Sequence, residues 1–264
     1  MELLHIHGQS YNETKTTQKL IFFLKLFFRK ILIIFMLNVF IDNIKIFGVK
    51  LNMVSFSREE ISDIIIAVAV LTILYAVAVT RPMGWSKDTL MLFIPISFVA
   101  VGLGFILHEL GHKFVAQHFG FKSEFRKWNS GLILGIISSL SGYMIFAPGA
   151  VYFGSYGRMV TDEENGKISI AGPLVNILLA VLFLSITLFM KNFVSMNNNV
   201  AYFLILTAYL AFRVNSYLAV FNLIPIPPLD GSKVITWNLP IFLIVFVIAA
   251  LLTYISYAMP FVLR

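Results

Sequence analysis

Residues 108–112 read His108-Glu109-Leu110-Gly111-His112. On a helix, side chains four apart share a face, so the two imidazoles can grip one divalent ion. The glutamate, one residue along, can hold a water beside that ion and accept its proton. These are the parts of a zinc hydrolase. A hydrogen-bonded histidine pair in a helix bundle is the bland alternative, but ionisable residues in apolar helices are usually functional. The chain has no cysteine, so neither a thiolate ligand nor a thiol nucleophile enters the argument.

A hydrolytic zinc needs a third protein ligand. After His112 the only histidines and acids are His118, Glu124, Asp162, Glu163, Glu164 and Asp230. His118 falls at the metzincin spacing, but Val115 stands where that motif has the glycine that turns the chain back. If the helix continues instead, six residues carry His118 about 120° away from His112. Glu124, in the polar stretch Lys122–Asn129, and Asp162 to Glu164, in Thr161–Asn165, read as solvated turns. Asp230 stands in Asn222-Leu-Ile-Pro225-Ile-Pro-Pro228-Leu-Asp230-Gly231, where prolines end an apolar helix and free its carbonyls. A lone carboxylate there needs a partner, which zinc would supply; a helix-capping aspartate at a membrane surface is the other reading. Asn176 and Asn222, amides near the ends of apolar helices, could support an extended substrate or a developing oxyanion, or equally form interhelical hydrogen bonds.

The surrounding elements must span a membrane. Hydrophobic residues are 59% of the chain and charged ones 12%, against about 25% charged in soluble domains. The net charge of +7 fits basic loops beside a membrane and does not require nucleic acid as a partner. A bilayer core about 30 Å thick takes roughly 20 apolar residues in a helix. Ile61–Val79, Leu90–Ala116, Ile168–Met190, Val200–Phe221 and Leu239–Met259 qualify, and Ser57-Arg-Glu-Glu60 reads as a capping box opening the first. Leu132–Phe146 is short and rich in glycine and serine, as a re-entrant segment would be. Leu20–Ile41, interrupted by Lys25, Arg29 and Lys30 on one stripe, suits a helix on an anionic surface or a tilted extra crossing. The expected architecture is an all-α polytopic membrane protein. It has about six transmembrane helices and a re-entrant or β-containing segment after the HExxH helix. Residues 1–52 form a basic extension and residues 53–264 the membrane-embedded metal-binding domain.

Three signatures in one order, HELGH, then Ala171-Gly172-Pro173-Leu174-Val175-Asn176, then NLIPIPPLDG, resemble the site-2 protease family of intramembrane zinc metalloproteases over about the last two-thirds of the chain. The resemblance implies His108, His112 and Asp230 as ligands of one Zn2+ per chain, Glu109 as catalytic base, and a peptide bond in a transmembrane segment of a membrane-protein substrate as target. The chain departs from the family at Ser232, where many members have a second glycine, and in a longer stretch between HELGH and AGPLVN.

Charge placement predicts the orientation. Lys45, Lys50 and Arg58 precede the first span, which puts its start inside the cell membrane and the HELGH end of the second span at the cytoplasmic face. Asp230 then reaches the same face only if Leu132–Phe146 does not cross once. The segment Pro148–Phe153 could pair with an unwound substrate strand. The rival function is an ion or metal transporter built on the same His/His/Asp cluster; it gives Glu109 no task, and no repeated halves are visible.

Overall fold

The computed structural model describes residues 45–46, 49–50, 55–141, 148–154, 158–191 and 199–259. The chain forms two compact units, Met1–Ser55 and Phe56–Arg264. In the first, β1 (Lys45–Ile46) and β2 (Val49–Lys50) pair antiparallel; the predicted helix Leu20–Ile41 lies outside the described residues.

The second unit opens with α1 (Arg58–Thr80), whose N-cap Ser57 accepts the Glu60 amide at 3.1 Å. Only this half of the predicted capping box forms. The Glu60 carboxylate turns inward instead, to Lys113 Nζ at 2.7 and 2.8 Å and the Phe125 amide at 2.9 Å. Next, α2 (Lys87–His118) runs unbroken through Pro95 and a π-helical turn at Phe98–Gly102. Proline has no N–H to give the preceding turn, and a π-turn inserts one extra residue into the helix.

Lys122–Lys127, expected as a solvated turn, is strand β3 and pairs antiparallel with β4 (Gly149–Gly154). Its alternation explains this: Ser123 and Phe125 are buried while Lys122 is exposed and Glu124 half-buried, the period of a half-buried strand. Between the strands lies α3 (Asn129–Ser141). Lys127 pairs with Gly149, and the Trp128 amide donates to the Pro148 carbonyl at 2.7 Å. The segment therefore leaves and returns at one place. A single crossing, which would separate those ends by about 30 Å, does not occur.

Then come α4 (Asp162–Lys191), α5 (Asn199–Asn222), α6 (Asp230–Trp237) and α7 (Leu239–Ala258). Thr161–Asn165, also expected as a turn, is the start of α4. Thr161 Oγ1 accepts the Glu164 amide at 3.2 Å and Glu164 Oε2 accepts the Thr161 amide at 3.1 Å, a reciprocal capping box.

Five helices among the described residues are long and apolar enough to cross a membrane: Arg58–Met83, α2, α4, α5 and α7. Their contact faces carry small residues such as Ala67, Ala76, Ala180, Ala208 and Ala249, while Ile65, Ile73, Leu178, Ile244 and Tyr254 point outward. That distribution suits helices whose outer surface is solvated by lipid and whose association depends on close backbone approach. The protein is a mostly helical polytopic membrane protein with two small two-stranded sheets among the described residues.

Candidate metal centre

His108 and His112 lie one turn apart on the buried face of α2. Each ring is fixed through Nδ1. His112 Nδ1 bonds the Ile168 carbonyl at 2.8 Å and His108 Nδ1 bonds Asn176 Oδ1 at 2.6 Å. A carbonyl oxygen only accepts, so in both rings Nδ1 carries the proton and Nε2 is left with its lone pair. The orientation of the Asn176 amide is fixed in turn, since its Nδ2 donates to the Gly104 carbonyl at 3.2 Å and to Asn215 Oδ1 at 2.9 Å.

Asp230, the first residue of α6, completes a triangle. The two Nε2 atoms are 3.1 Å apart, and Asp230 Oδ2 is 3.4 Å from His108 Nε2 and 3.2 Å from His112 Nε2. A tetrahedral zinc with bonds of roughly 2.0–2.1 Å spaces its ligand atoms by about 3.3 Å. Two imidazole lone pairs and a carboxylate oxygen at these separations repel one another unless a cation lies between them. The donor set and its spacing therefore fit zinc, and these three form the one such group among the described residues.

Two glycines make the approach possible. A Cβ on Gly172, in the AGP segment of α4, would strike Nε2 of both histidines, and a Cβ on Gly231 would strike the Leu223 carbonyl at the end of α5. The first lets α4 pass directly behind the triangle; the second lets the chain fold back and deliver Asp230. Pro173 adds to this, since it leaves the Ser169 carbonyl without its helical donor in the same turn that offers Ile168 to His112.

Glu109 is buried beside the triangle. Its Oε2 has no hydrogen-bond partner in the protein, and the backbone amide of Val151 in β4 faces its carboxylate. The register follows from this. If Val151 points to Glu109, the odd-numbered residues of the sheet turn their amides outward, as Phe125 does to Glu60 and Lys127 to Asp63. The outer edge of β3 is thus capped by α1, with Lys113 on the Ser123 carbonyl at 2.9 Å, while the outer edge of β4 faces Glu109.

The remaining candidates stand apart. His118 is exposed at the end of α2, against the Phe119 ring. Glu124 pairs with Arg126 at 2.6 Å, Glu163 with Lys167 at 2.5 Å, and Asp162 and Glu164 occupy the first turn of α4. Asn222 Nδ2 donates to the Leu218 carbonyl at 3.0 Å, one turn back on α5. Sequence reasoning missed the Ile168 carbonyl, Asn215 and the buried Glu60–Lys113 pair. Only the last left a signal, a capping-box glutamate with a second use.

Comparison with known proteins gives the chain a family. Residues 96–242 match the model of peptidase family M50. A provisionally named zinc metalloprotease of Methanocaldococcus jannaschii, MJ0611, is 41% identical over 189 residues, covering 71% of this chain and 89% of its own length. Zinc metalloprotease MJ0392 of the same organism is 30% identical over 146 residues, 54% of this chain and 34% of its own. The provisionally named zinc metalloprotease YwhC of Bacillus subtilis is 28% identical over 152 residues, 54% and 68%. No solved structure gives a significant match. With more than half its length inside the family match, this chain belongs to peptidase family M50, the site-2 protease family, and is a membrane zinc metalloprotease.

Proposed function

We propose that this protease hydrolyses a peptide bond within or near a transmembrane segment of a membrane-protein substrate, at one Zn2+ per chain held by His108, His112 and Asp230. The observation that carries the reading is the Nε2–Nε2–Oδ2 triangle, set among apolar spans with Glu109 adjoining. Zinc, when bound, supplies Lewis acidity, which brings the ionisation of a water toward neutral pH and polarises a carbonyl. Glu109 takes the proton from the attacking water and passes it to the leaving amine; an Oε2 free of protein partners suits that traffic. Asn176 holds His108 in the metal-binding tautomer. Asn222 would have to release the Leu218 carbonyl before its Nδ2 could support a substrate oxyanion.

A transmembrane helix shields its own amides, so the substrate must unwind before attack. The outer edge of β4, level with Glu109, offers an extended segment its hydrogen bonds. The centre lies toward the cytoplasmic side of the cell membrane: Lys113, Lys122, Arg126, Lys127, Arg158 and Lys233 gather at the site end of the spans, as cytoplasmic basic residues do. Residues 53–264 form the protease domain, and residues 1–52 an extension on or across the membrane.

Cleavage of a transmembrane peptide by purified protein tests this. Glu109→Gln is expected to lower the rate by about 10²–10⁴-fold with zinc content unchanged, and an undiminished rate would refute the role of Glu109.

A further inference from the structure

Asn215 lies within α5 with no exposed surface, between the metal centre and the π-turn of α2. Its Oδ1 accepts from Asn176 Nδ2 at 2.9 Å, and its Nδ2 donates to the carbonyls of Ala211 at 2.9 Å and Ala100 at 3.3 Å. Ala100 belongs to the π-turn Phe98–Gly102, where the widened ring lets a carbonyl tilt out of the helix. Gly104 leaves the room: a Cβ there would sit 2.7 Å from Asn215 Oδ1.

We infer that Asn215 is a positioning residue of the metal centre, which fixes His108 in its zinc-binding tautomer through Asn176. The inference rests on the zinc-site reading above. An asparagine amide is nearly the same shape either way round, and its partners decide its orientation. Were Asn176 reversed, its Nδ2 would face His108 Nδ1. The ring would then need a lone pair at Nδ1 and a proton at Nε2, which removes it as a ligand. Two acceptors on the far side of Asn176 oppose that reversal, the Gly104 carbonyl and Asn215 Oδ1. Asn215 cannot reverse either, because its own Nδ2 is held by two carbonyls that only accept. The proton position on His108 thus traces back through two amides to backbone oxygens of fixed character. Without Asn215, one N–H of Asn176 is buried and unpaired, and reversal loses one of its two opponents.

The test compares full-length wild type, Asn215→Leu, Asn215→Asp and His108→Ala in detergent. Zinc affinity is read by competition with a chromogenic chelator, and ligand geometry by the visible spectrum of bound Co2+. Leucine keeps the volume and removes the acceptor; aspartate keeps an oxygen toward Asn176. Asn215→Leu is expected to lower zinc affinity by about tenfold or more and to alter the Co2+ spectrum, with Asn215→Asp close to wild type in both. Wild-type affinity in Asn215→Leu would overturn the inference. So would equal losses in both variants, which would assign Asn215 to capping the Ala100 and Ala211 carbonyls. If Asn215→Leu does not fold, Asn215→Asp decides alone: wild-type affinity supports the inference and a tenfold loss overturns it. A wild type that binds no better than His108→Ala would overturn the zinc site itself, a result distinct from a failure confined to Asn215.

Discussion

Ile168 and Asn176 present oxygens to the Nδ1 atoms of His112 and His108, so both imidazoles reach the centre with their lone pairs already aimed. Preset tautomers of this kind sustain metal affinity, and losing one such partner costs about 10–100-fold in binding. Asn176→Leu is therefore expected to weaken zinc binding by at least about tenfold, measured by chelator competition, with helix content by circular dichroism unchanged. Gly172→Ala tests the space behind the ligands. Its methyl falls on both Nε2 atoms, and zinc content should drop while the protein still extracts and folds. The two ring donors and Glu109 were legible in sequence because HExxH at helical spacing has few other uses. The Ile168 carbonyl was not, since a backbone oxygen has no residue type to betray it. Asn215 was hidden for another reason: one amide in an apolar helix looks the same whether it pairs helices or orients a ligand.

Elements reach the centre through a buried ion pair. Glu60 at the start of α1 and Lys113 just after HELGH are each 1% exposed or less, and together they tie α1, α2 and the outer edge of β3. Removing one partner of such a pair leaves an uncompensated charge and costs about 3–5 kcal/mol. Lys113→Met should thus sharply lower thermal stability in detergent, and adding Glu60→Leu should restore part of it; additive losses would contradict the coupling. The restoration stays partial because the Phe125 amide and Ser123 carbonyl remain without their partners. The five spans were readable from apolar run length alone. A β-containing segment after the HExxH helix was expected, but its pairing was not legible: β3 is a six-residue polar strand whose mate lies beyond α3, and local alternation does not announce so distant a partner. The box Thr161-x-x-Glu164 was present in the sequence, but its charge run resembled a solvated turn and concealed the start of α4.

For the whole molecule, the closed excursion through α3 decides which ends meet. Because Lys127 and Gly149 are paired, α4 begins on the side where α2 ends, and Asp230 after α5 returns there. The natural absence of cysteine makes single-cysteine labelling direct. Met159→Cys, at a residue 90% exposed before α4, should react from the cytoplasmic side, and Met83→Cys, 63% exposed between α1 and α2, from the opposite side. Labelling of both from one side would contradict the topology. The requirement that Asp230 meet the histidines was legible in sequence once the spans were counted. What sequence could not supply was how Leu132–Phe146 returns, which depends on strand pairing across that segment.

The central claim is a zinc ion held by two histidines of α2 and one aspartate after α5. Its most direct test is zinc content per chain in detergent-purified protein, comparing wild type, Asp230→Ala and His118→Ala. The account predicts about one zinc in wild type and His118→Ala, and loss in Asp230→Ala. Loss in His118→Ala with retention in Asp230→Ala would contradict it.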